Sequence, residues 1–104
     1  MATIYTRKNA WNNGGTFDNP DLLWYAKAVG EMQNRALNDE TSWWLFAGIH
    51  GHNWINLPTP PTIPTNPQPT PAIRKQYWNQ CQHGTWFFLP WHRGYLYALE
   101  KVLR

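Results

Sequence analysis

The stretch QCQHGTWFFLPWHR, residues 80–93, decides how this chain folds and what it can bind. It places His83 and His92 nine residues apart, with a glycine bend between them. Pro90 is typical of a helix start and predicts a final helix that begins at the next residue. His92 would then be mounted on regular backbone, as a rigid metal ligand should be. Because neutral imidazole is the commonest protein ligand for copper and zinc, the pair predicts a metal site.

Periodic apolar residues predict further helices on both sides of a long loop. Asn19-Pro20-Asp21 is typical of a helix start, in which Asn caps the first turn and Pro occupies its first position. A short apolar run after Ser42 predicts a helix that delivers His50. Helices are therefore expected over residues 20–38, 42–49, 72–82 and 91–104. The expected fold class is all-α, part of an antiparallel helix bundle with long irregular loops.

The loop between the second and third helices is rich in proline. Seven of the fourteen residues from Pro58 to Pro71 are proline, a composition that excludes a helix. Neither flank is large enough to be a domain, so we expect a surface loop joining two pieces of one core. Residues 84–89 are expected to form a bend or a short extended piece.

Composition restricts the chain to one small domain with an aromatic core. Its 104 residues include eight Trp, five Tyr and four Phe, whose rings bury large areas but need partners for their polar groups. The net charge is +3, but the basic residues are scattered, which argues against a nucleic-acid partner. There is no signal peptide and no membrane-spanning run, so we expect a soluble protein, favour the cytoplasm and expect no membrane partner.

Two groups of residues follow a known metal-binding pattern. The first is His83-Gly84 with Phe88–Arg93, followed by Tyr95-Leu96 and Glu100. The second is Ser42 with Ala47-Gly48-Ile49-His50-Gly51. Together they resemble the first-copper (CuA) segment of tyrosinases, catechol oxidases and molluscan-type haemocyanins. Weaker similarity at Arg7-Lys8-Asn9 and Tyr25 extends the resemblance over most of the chain outside the Pro-rich loop.

The resemblance implies a ligand set and its immediate neighbours. His50, His83 and His92 match the three CuA ligands, whereas His52 falls outside the pattern. Phe88 matches an aromatic residue that packs beside the site. Cys81 lies two residues before His83, where many eukaryotic members of the family have a cysteine bonded through sulfur to the second ligand.

The same residues also allow other chemistries. Cys81 could be a buried thiol, or it could complete a tetrahedral zinc site with the three histidines. The histidine spacing matches none of the usual short zinc pairs. Ser42 is the only serine and has no nucleophile setting, so hydrolytic chemistry is not indicated. A Trp- and Pro-rich interaction module without metal would require the histidine spacing to be accidental.

The function implied by the resemblance is copper-dependent oxidation of phenols and catechols to o-quinones by O2. Two coppers, each held by three imidazoles, perform this chemistry, including hydroxylation of a phenol by a monooxygenase. The alternative is a haemocyanin-like oxygen carrier. Six imidazoles are needed and this sequence has four. We therefore expect residues 1–104 to be the CuA portion of a tyrosinase-type domain, inactive until a continuation or separate chain supplies the second copper (CuB) portion.

Overall fold

The computed structural model describes residues 3–52 and 67–104, and within them all regular structure is helical. The four α-helices are α1 (Pro20–Asn34), α2 (Trp43–His50), α3 (Pro71–Tyr77) and α4 (Phe88–Leu103). The all-α prediction is confirmed for this part of the chain. Most of the Pro-rich loop lies outside the described residues. None of the helices in the described ranges is long and apolar enough to cross a membrane.

Helix α1 starts where predicted and ends four residues early. The Asn19 side chain accepts a hydrogen bond from the backbone N–H of Asp21, and Pro20 occupies the first turn. The predicted end at residue 38 is wrong because Arg35 is already extended and Leu37 is buried completely in the core. The bend after Asn34 turns the Leu37 side chain inward.

A tight turn joins α1 to α2. The Asp39 carboxylate accepts hydrogen bonds from both the hydroxyl and the backbone N–H of Thr41, which hold the pKa of Asp39 below its usual value. The buried Ser42 hydroxyl then caps α2 by accepting from the N–H of Leu45 at 3.1 Å. The predicted short helix that delivers His50 is confirmed as α2.

Helix α3 ends five residues before its predicted end. Thr70 caps its start by accepting from the N–H of Ile73. Trp78 is extended and turns its indole into the core, and Asn79 adopts a left-handed conformation with φ +57°. Asn tolerates this conformation better than most residues, and a helix cannot continue through it.

Helix α4 begins three residues earlier than predicted. The Thr85 hydroxyl accepts from the N–H of Phe87, and the chain enters the helix at Phe88. Pro90 is thus the third helical residue instead of the residue before the helix. The first four N–H groups of a helix have no partner within it, so the absence of an N–H at Pro90 removes no hydrogen bond of the helix. The predicted bend is confined to residues 84–87.

The core is built around α2. Its apolar cluster joins the α1–α2 turn, α2 itself and the residue after α3: Leu37, Trp44, Leu45 and Trp78. The indole N–H of Trp44 also donates to the Gln33 carbonyl at 2.9 Å, which ties α2 to α1. Helix α1 contacts both α2 and α4, and α3 packs against α2. This arrangement places the C-terminal end of α2 beside the N-terminal end of α4.

Candidate metal centre

His50 is the last residue of α2. Gly51 ends the helix in the left-handed region with φ +109°, a conformation that favours glycine. Its backbone N–H lies against the carbonyls of Ala47 and Gly48 and closes the last turn. The imidazole of His50 is therefore carried at a fixed point, where the helix stops.

The segment after Trp78 is hydrogen-bonded to the same end of α2. The N–H of Asn79 donates to the Gly48 carbonyl and that of Gln80 to the Ile49 carbonyl, both at 3.0 Å. Carbonyls in the last turn of a helix have no partner within the helix, so this segment satisfies them. The two bonds set the position of the backbone that continues into Cys81 and His83.

Gly48 permits this close approach. A Cβ at this position would lie 2.5 Å from Cε2 of the Trp78 indole, a distance that two carbon atoms cannot adopt. Because Gly48 has no side chain, the buried indole lies directly on the backbone of α2. The resemblance included Gly48 only as part of a motif, and the structure supplies its physical reason.

His92 lies in the second turn of α4 and is oriented by that helix. Its Nδ1 lies 2.7 Å from the Phe88 carbonyl one turn earlier, and the geometry fits an N–H that donates to this oxygen. That tautomer leaves Nε2 free as a ligand, which is how a hydrogen bond on one ring nitrogen fixes the other. The Phe88 ring packs on His92 with centroids 4.3 Å apart and also borders His83 at 5.6 Å.

The structure brings together all three histidines assigned from the resemblance. The ring centroids of His50 and His83 are 6.1 Å apart, those of His50 and His92 5.5 Å, and those of His83 and His92 5.3 Å. With Cys81 they form one group whose ligand atoms all lie within 4.8 Å of one another. Three imidazoles and one thiol are donors that suit copper or zinc, so the group could hold one such ion.

Cys81 contacts two of the three histidines. Its Sγ is 3.1 Å from Nε2 of His92 and 3.4 and 3.5 Å from Nδ1 and Nε2 of His83. The thiol is partly buried. His52 is exposed, as His50 and His83 are, and its backbone N–H donates to the Ala47 carbonyl, but it is not part of the donor group among the described residues.

Two further aromatic rings border the site. Trp91 and Tyr95 stack with centroids 5.2 Å apart and an interplanar angle of 12°. Their ring centroids lie 6.1 and 5.5 Å from that of His50. The Tyr95 hydroxyl donates to the Phe46 carbonyl of α2 at 2.9 Å. Burial raises the pKa of Tyr95 to about 12, and the nearby Cys81 acts in the same direction. Residues four apart share a face of a helix, so Trp91 and Tyr95 lie together on α4, but helical spacing does not show that this face borders His50.

Residues 40–104 match the common central domain of tyrosinase. The chain is 39% identical over 102 residues, 94% of its length, to a tyrosinase from Hahella sp. (strain CCB-MM4), of which the match covers 21%. A tyrosinase from Aspergillus oryzae (strain ATCC 42149 / RIB 40) is 32% identical over 75 residues, which is 70% of this chain and 11% of that protein. Polyphenol oxidase 3 from Agaricus bisporus is 34% identical over 79 residues, 76% of this chain and 12% of the relative.

A helical fold that gathers three imidazoles and a thiol into one group could hold a soft or borderline metal ion. The match to the tyrosinase central domain identifies the family: this chain belongs to the tyrosinase family of copper oxidoreductases. It spans between 11% and 21% of the length of these relatives. The family implies copper as the metal.

Proposed function

We propose that this chain provides the CuA half of a two-copper site that oxidises phenols and catechols to o-quinones with O2. The observation that carries the proposal is the convergence of His50, His83 and His92 from three separate parts of the chain. The names of the relatives, tyrosinase and polyphenol oxidase, support an enzyme over an oxygen carrier. When bound, copper supplies the redox chemistry.

The residues of this chain hold and orient the three imidazoles. His50 is fixed by the end of α2, and His83 follows a segment that is hydrogen-bonded to that same end. His92 presents Nε2 because its Nδ1 is engaged by the Phe88 carbonyl. Rings of Phe88, Trp91 and Tyr95 border the imidazoles and pack against them.

The second copper requires three more imidazoles than the assigned set provides. His52 is the one remaining histidine of the sequence. We therefore propose that a CuB-bearing portion, as a continuation or a separate chain, completes the site. Helix α4 supports this view because no residue along its length is buried, although several are large and apolar: Phe88, Leu89, Leu96 and Tyr97. An apolar surface of this kind is typical of a face that another part of a protein covers.

A thioether between Cys81 and His83 is part of the proposal for the mature site. The sulfur is almost equidistant from the two ring nitrogens that flank Cε1 of His83, which suits a bond to that carbon. Its formation would replace one S–H and one C–H bond by an S–C bond, with O2 accepting the two hydrogens. The intact mass of the mature protein should then be lower by two hydrogens.

Copper binding by histidine variants tests the ligand set. We expect His50→Ala, His83→Ala and His92→Ala each to weaken Cu(I) binding by the 104-residue chain strongly, because each removes a direct ligand. His52→Ala is the matched control and should bind as the unchanged chain does. Three ligand variants that bind like the control would refute the assignment.

Turnover tests the half-site. The 104-residue chain with copper should not oxidise catechol, whereas the same chain joined to a CuB portion from a tyrosinase relative should do so. Full turnover by residues 1–104 alone would contradict the proposal. Reversible O2 binding without quinone formation by the two-copper assembly would favour the oxygen carrier instead.

A further inference from the structure

The position of the Cys81 sulfur is not explained by a link to His83 alone. Its shortest contact is with His92, at 3.1 Å from the Nε2 atom that the helix leaves free for a metal. The contacts with His83 are longer, at 3.4 and 3.5 Å. A bond to His83 does not require the sulfur to lie closest to Nε2 of His92.

These separations are those of donors that share one ion. With metal–sulfur bonds of about 2.3 Å and metal–nitrogen bonds of about 2.0–2.1 Å, a tetrahedral site holds sulfur and nitrogen about 3.5 Å apart. The Cys81 sulfur lies 3.1–3.5 Å from nitrogens of two imidazoles. His50 completes the group, since the four ligand atoms lie within 4.8 Å of one another. Small adjustments of the side chains would bring all four onto one ion.

We propose that, while Cys81 is a free thiol, this half-site binds one Cu(I) with four ligands, the Cys81 thiolate and the three imidazoles. Binding breaks the S–H bond, forms a sulfur–copper bond and releases the proton to solvent, and no electron is transferred. A soft thiolate favours Cu(I). The inference rests on the proposed function in using the same histidines, and it adds a ligand that the three-imidazole site does not have.

The fourth ligand would change what the site can do. Four-coordinate tetrahedral sites are closed, as structural metal sites are, whereas catalytic sites keep a position open for a substrate. The thiol form would therefore retain copper without reacting with O2. Any change that takes the sulfur off the metal, such as its attachment to His83, would open that position. Cys81 would thus separate copper loading from catalysis.

A simpler arrangement uses the same contacts. The thiol could donate a hydrogen bond to Nε2 of His92, with no role toward metal. Cys81→Ser distinguishes the two, because a hydroxyl also donates such a hydrogen bond but is a poor ligand for Cu(I). The variant thus preserves the simpler arrangement and removes only the proposed one.

The first experiment is an anaerobic competition between the reduced 104-residue chain and a Cu(I) chelator, after intact mass has shown that no thioether is present. Replacing a residue that hydrogen-bonds to a metal ligand lowers metal affinity by about 10–100-fold. Loss of a direct ligand in Cys81→Ser should therefore lower Cu(I) affinity by more than about 100-fold. His52→Ala should bind as the unchanged chain does. Equal affinities of Cys81→Ser and the unchanged chain would overturn the inference.

A second measurement needs no variant. X-ray absorption at the copper edge of the Cu(I)-loaded chain should show one sulfur neighbour at about 2.3 Å, together with nitrogen neighbours. Bound Cu(I) should also protect the thiol from alkylation. A shell of nitrogen alone, with an alkylation rate unaffected by copper, would contradict the inference.

The two proposals fail in different ways. If the three histidine variants lose Cu(I) affinity while Cys81→Ser and the absorption spectrum show no role for sulfur, only the four-ligand inference is wrong. If the histidine variants bind Cu(I) as tightly as the unchanged chain, the proposed ligand set is wrong and the four-ligand inference falls with it.

Discussion

The two sides of the metal centre are held in different ways. The α2 side, which carries His50 and orders the backbone before His83, is anchored in the core, where half of the residues of α2 are buried and Trp78 lies directly on Gly48. The α4 side, which carries His92, has no buried residue along its sixteen positions. Two ligands therefore depend on close packing, and the third depends on a few specific contacts.

This contrast indicates where the site is rigid and where it can adjust. Tightly packed regions resist change because any shift creates overlap or voids. Helix α4 is joined to α2 by the Tyr95 hydrogen bond and by ring contacts with His50, and at its far end Glu100 is paired with Arg7 of the N-terminal segment. We expect α4 to be the part whose position is set finally by whatever covers its apolar surface.

The largest effect should come from the packed side, through Gly48→Ala. The new methyl group would meet the rigid Trp78 indole at 2.5 Å, so either the indole or α2 must move. Overpacking of this kind costs about 1–3 kcal/mol in the free energy of unfolding. Copper affinity should fall as well, because the same movement shifts His50 relative to the segment that precedes His83. Urea unfolding and Cu(I) competition measure the two effects.

Gly94→Ala on α4 is the matched control. A Cβ there meets no atom within 4 Å, and alanine is favoured over glycine in a helix by about 1 kcal/mol. This variant should be as stable as the unchanged chain or more so. If Gly48→Ala behaved in the same way as Gly94→Ala, the close packing on the α2 side would not be the source of its rigidity.

An intermediate effect is expected on the α4 side from Tyr95→Phe. The change removes the hydrogen bond from α4 to the Phe46 carbonyl and leaves the ring stacked on Trp91. A hydrogen bond of this type contributes about 0.5–1.5 kcal/mol to the free energy of unfolding. Tyr97→Phe removes an exposed hydroxyl from the same helix and should change stability by less than about 0.5 kcal/mol. Equal losses in both variants would show that the link to α2 contributes nothing specific.

Alkaline pH tests the same hydroxyl. Because burial raises the pKa of Tyr95 from 10.0 to about 12, the folded chain holds the phenol proton more tightly than the unfolded chain does. This contribution to stability is complete below pH 10.0 and is lost as the pH rises toward about 12. Across that range, the free energy of unfolding should fall more steeply for the unchanged chain than for Tyr95→Phe. Parallel curves would contradict the assignment.

The smallest effect should come from Arg7→Ala. The guanidinium of Arg7 bonds both carboxylate oxygens of Glu100 and lowers the pKa of that carboxyl, and exposure to solvent keeps the gain small. A lowered pKa gives stability that is present above the usual value of 4.5 and is lost as the pH falls through the folded value. The acid side of the stability curve should therefore be shallower in Arg7→Ala than in the unchanged chain.

Lys8→Ala controls for the loss of a surface charge. Lys8 pairs with Asp21 on α1, at 3.0 Å, and has no contact with Glu100. Lys8→Ala should leave unchanged the loss of stability that protonation of Glu100 causes at acid pH. An identical flattening of the curve in both variants would mean that net charge, and not the bond from the N-terminal segment to α4, controls stability in acid.

The fold could be predicted from the sequence where local signals are strong. The Asn19 cap with Pro20 fixed the start of α1, and the run after Ser42 marked α2, because capping acts within one turn of helix. The ends of α1 and α3 were predicted too late. Leu37 and Trp78 leave their helices to enter the core, and that choice depends on tertiary contacts that helical periodicity does not contain.

The ligands of the candidate site could be predicted from the family motif more than from the chemistry and spacing of the residues. The spacing of His83 and His92 suggested a metal, but the choice of His50 over His52 rested on the resemblance. The structure places the His50 imidazole in the donor group, to which His52 does not belong among the described residues. The contact between the Cys81 sulfur and His92 could not be foreseen, because it depends on how the segment after Trp78 is bonded to the end of α2.

The two backbone hydrogen bonds from Asn79 and Gln80 to α2 also determine how much the length of the chain between α2 and Asn79 can vary. They close a loop, and the entropy lost on closing a loop rises only with the logarithm of its length, by about 0.6 kcal/mol for each doubling. Residues added to the Pro-rich loop before α3 would therefore cost little, since the segment after Trp78 would still meet the same two carbonyls of α2. We expect insertions in this loop to leave His50 and the segment before His83 in register.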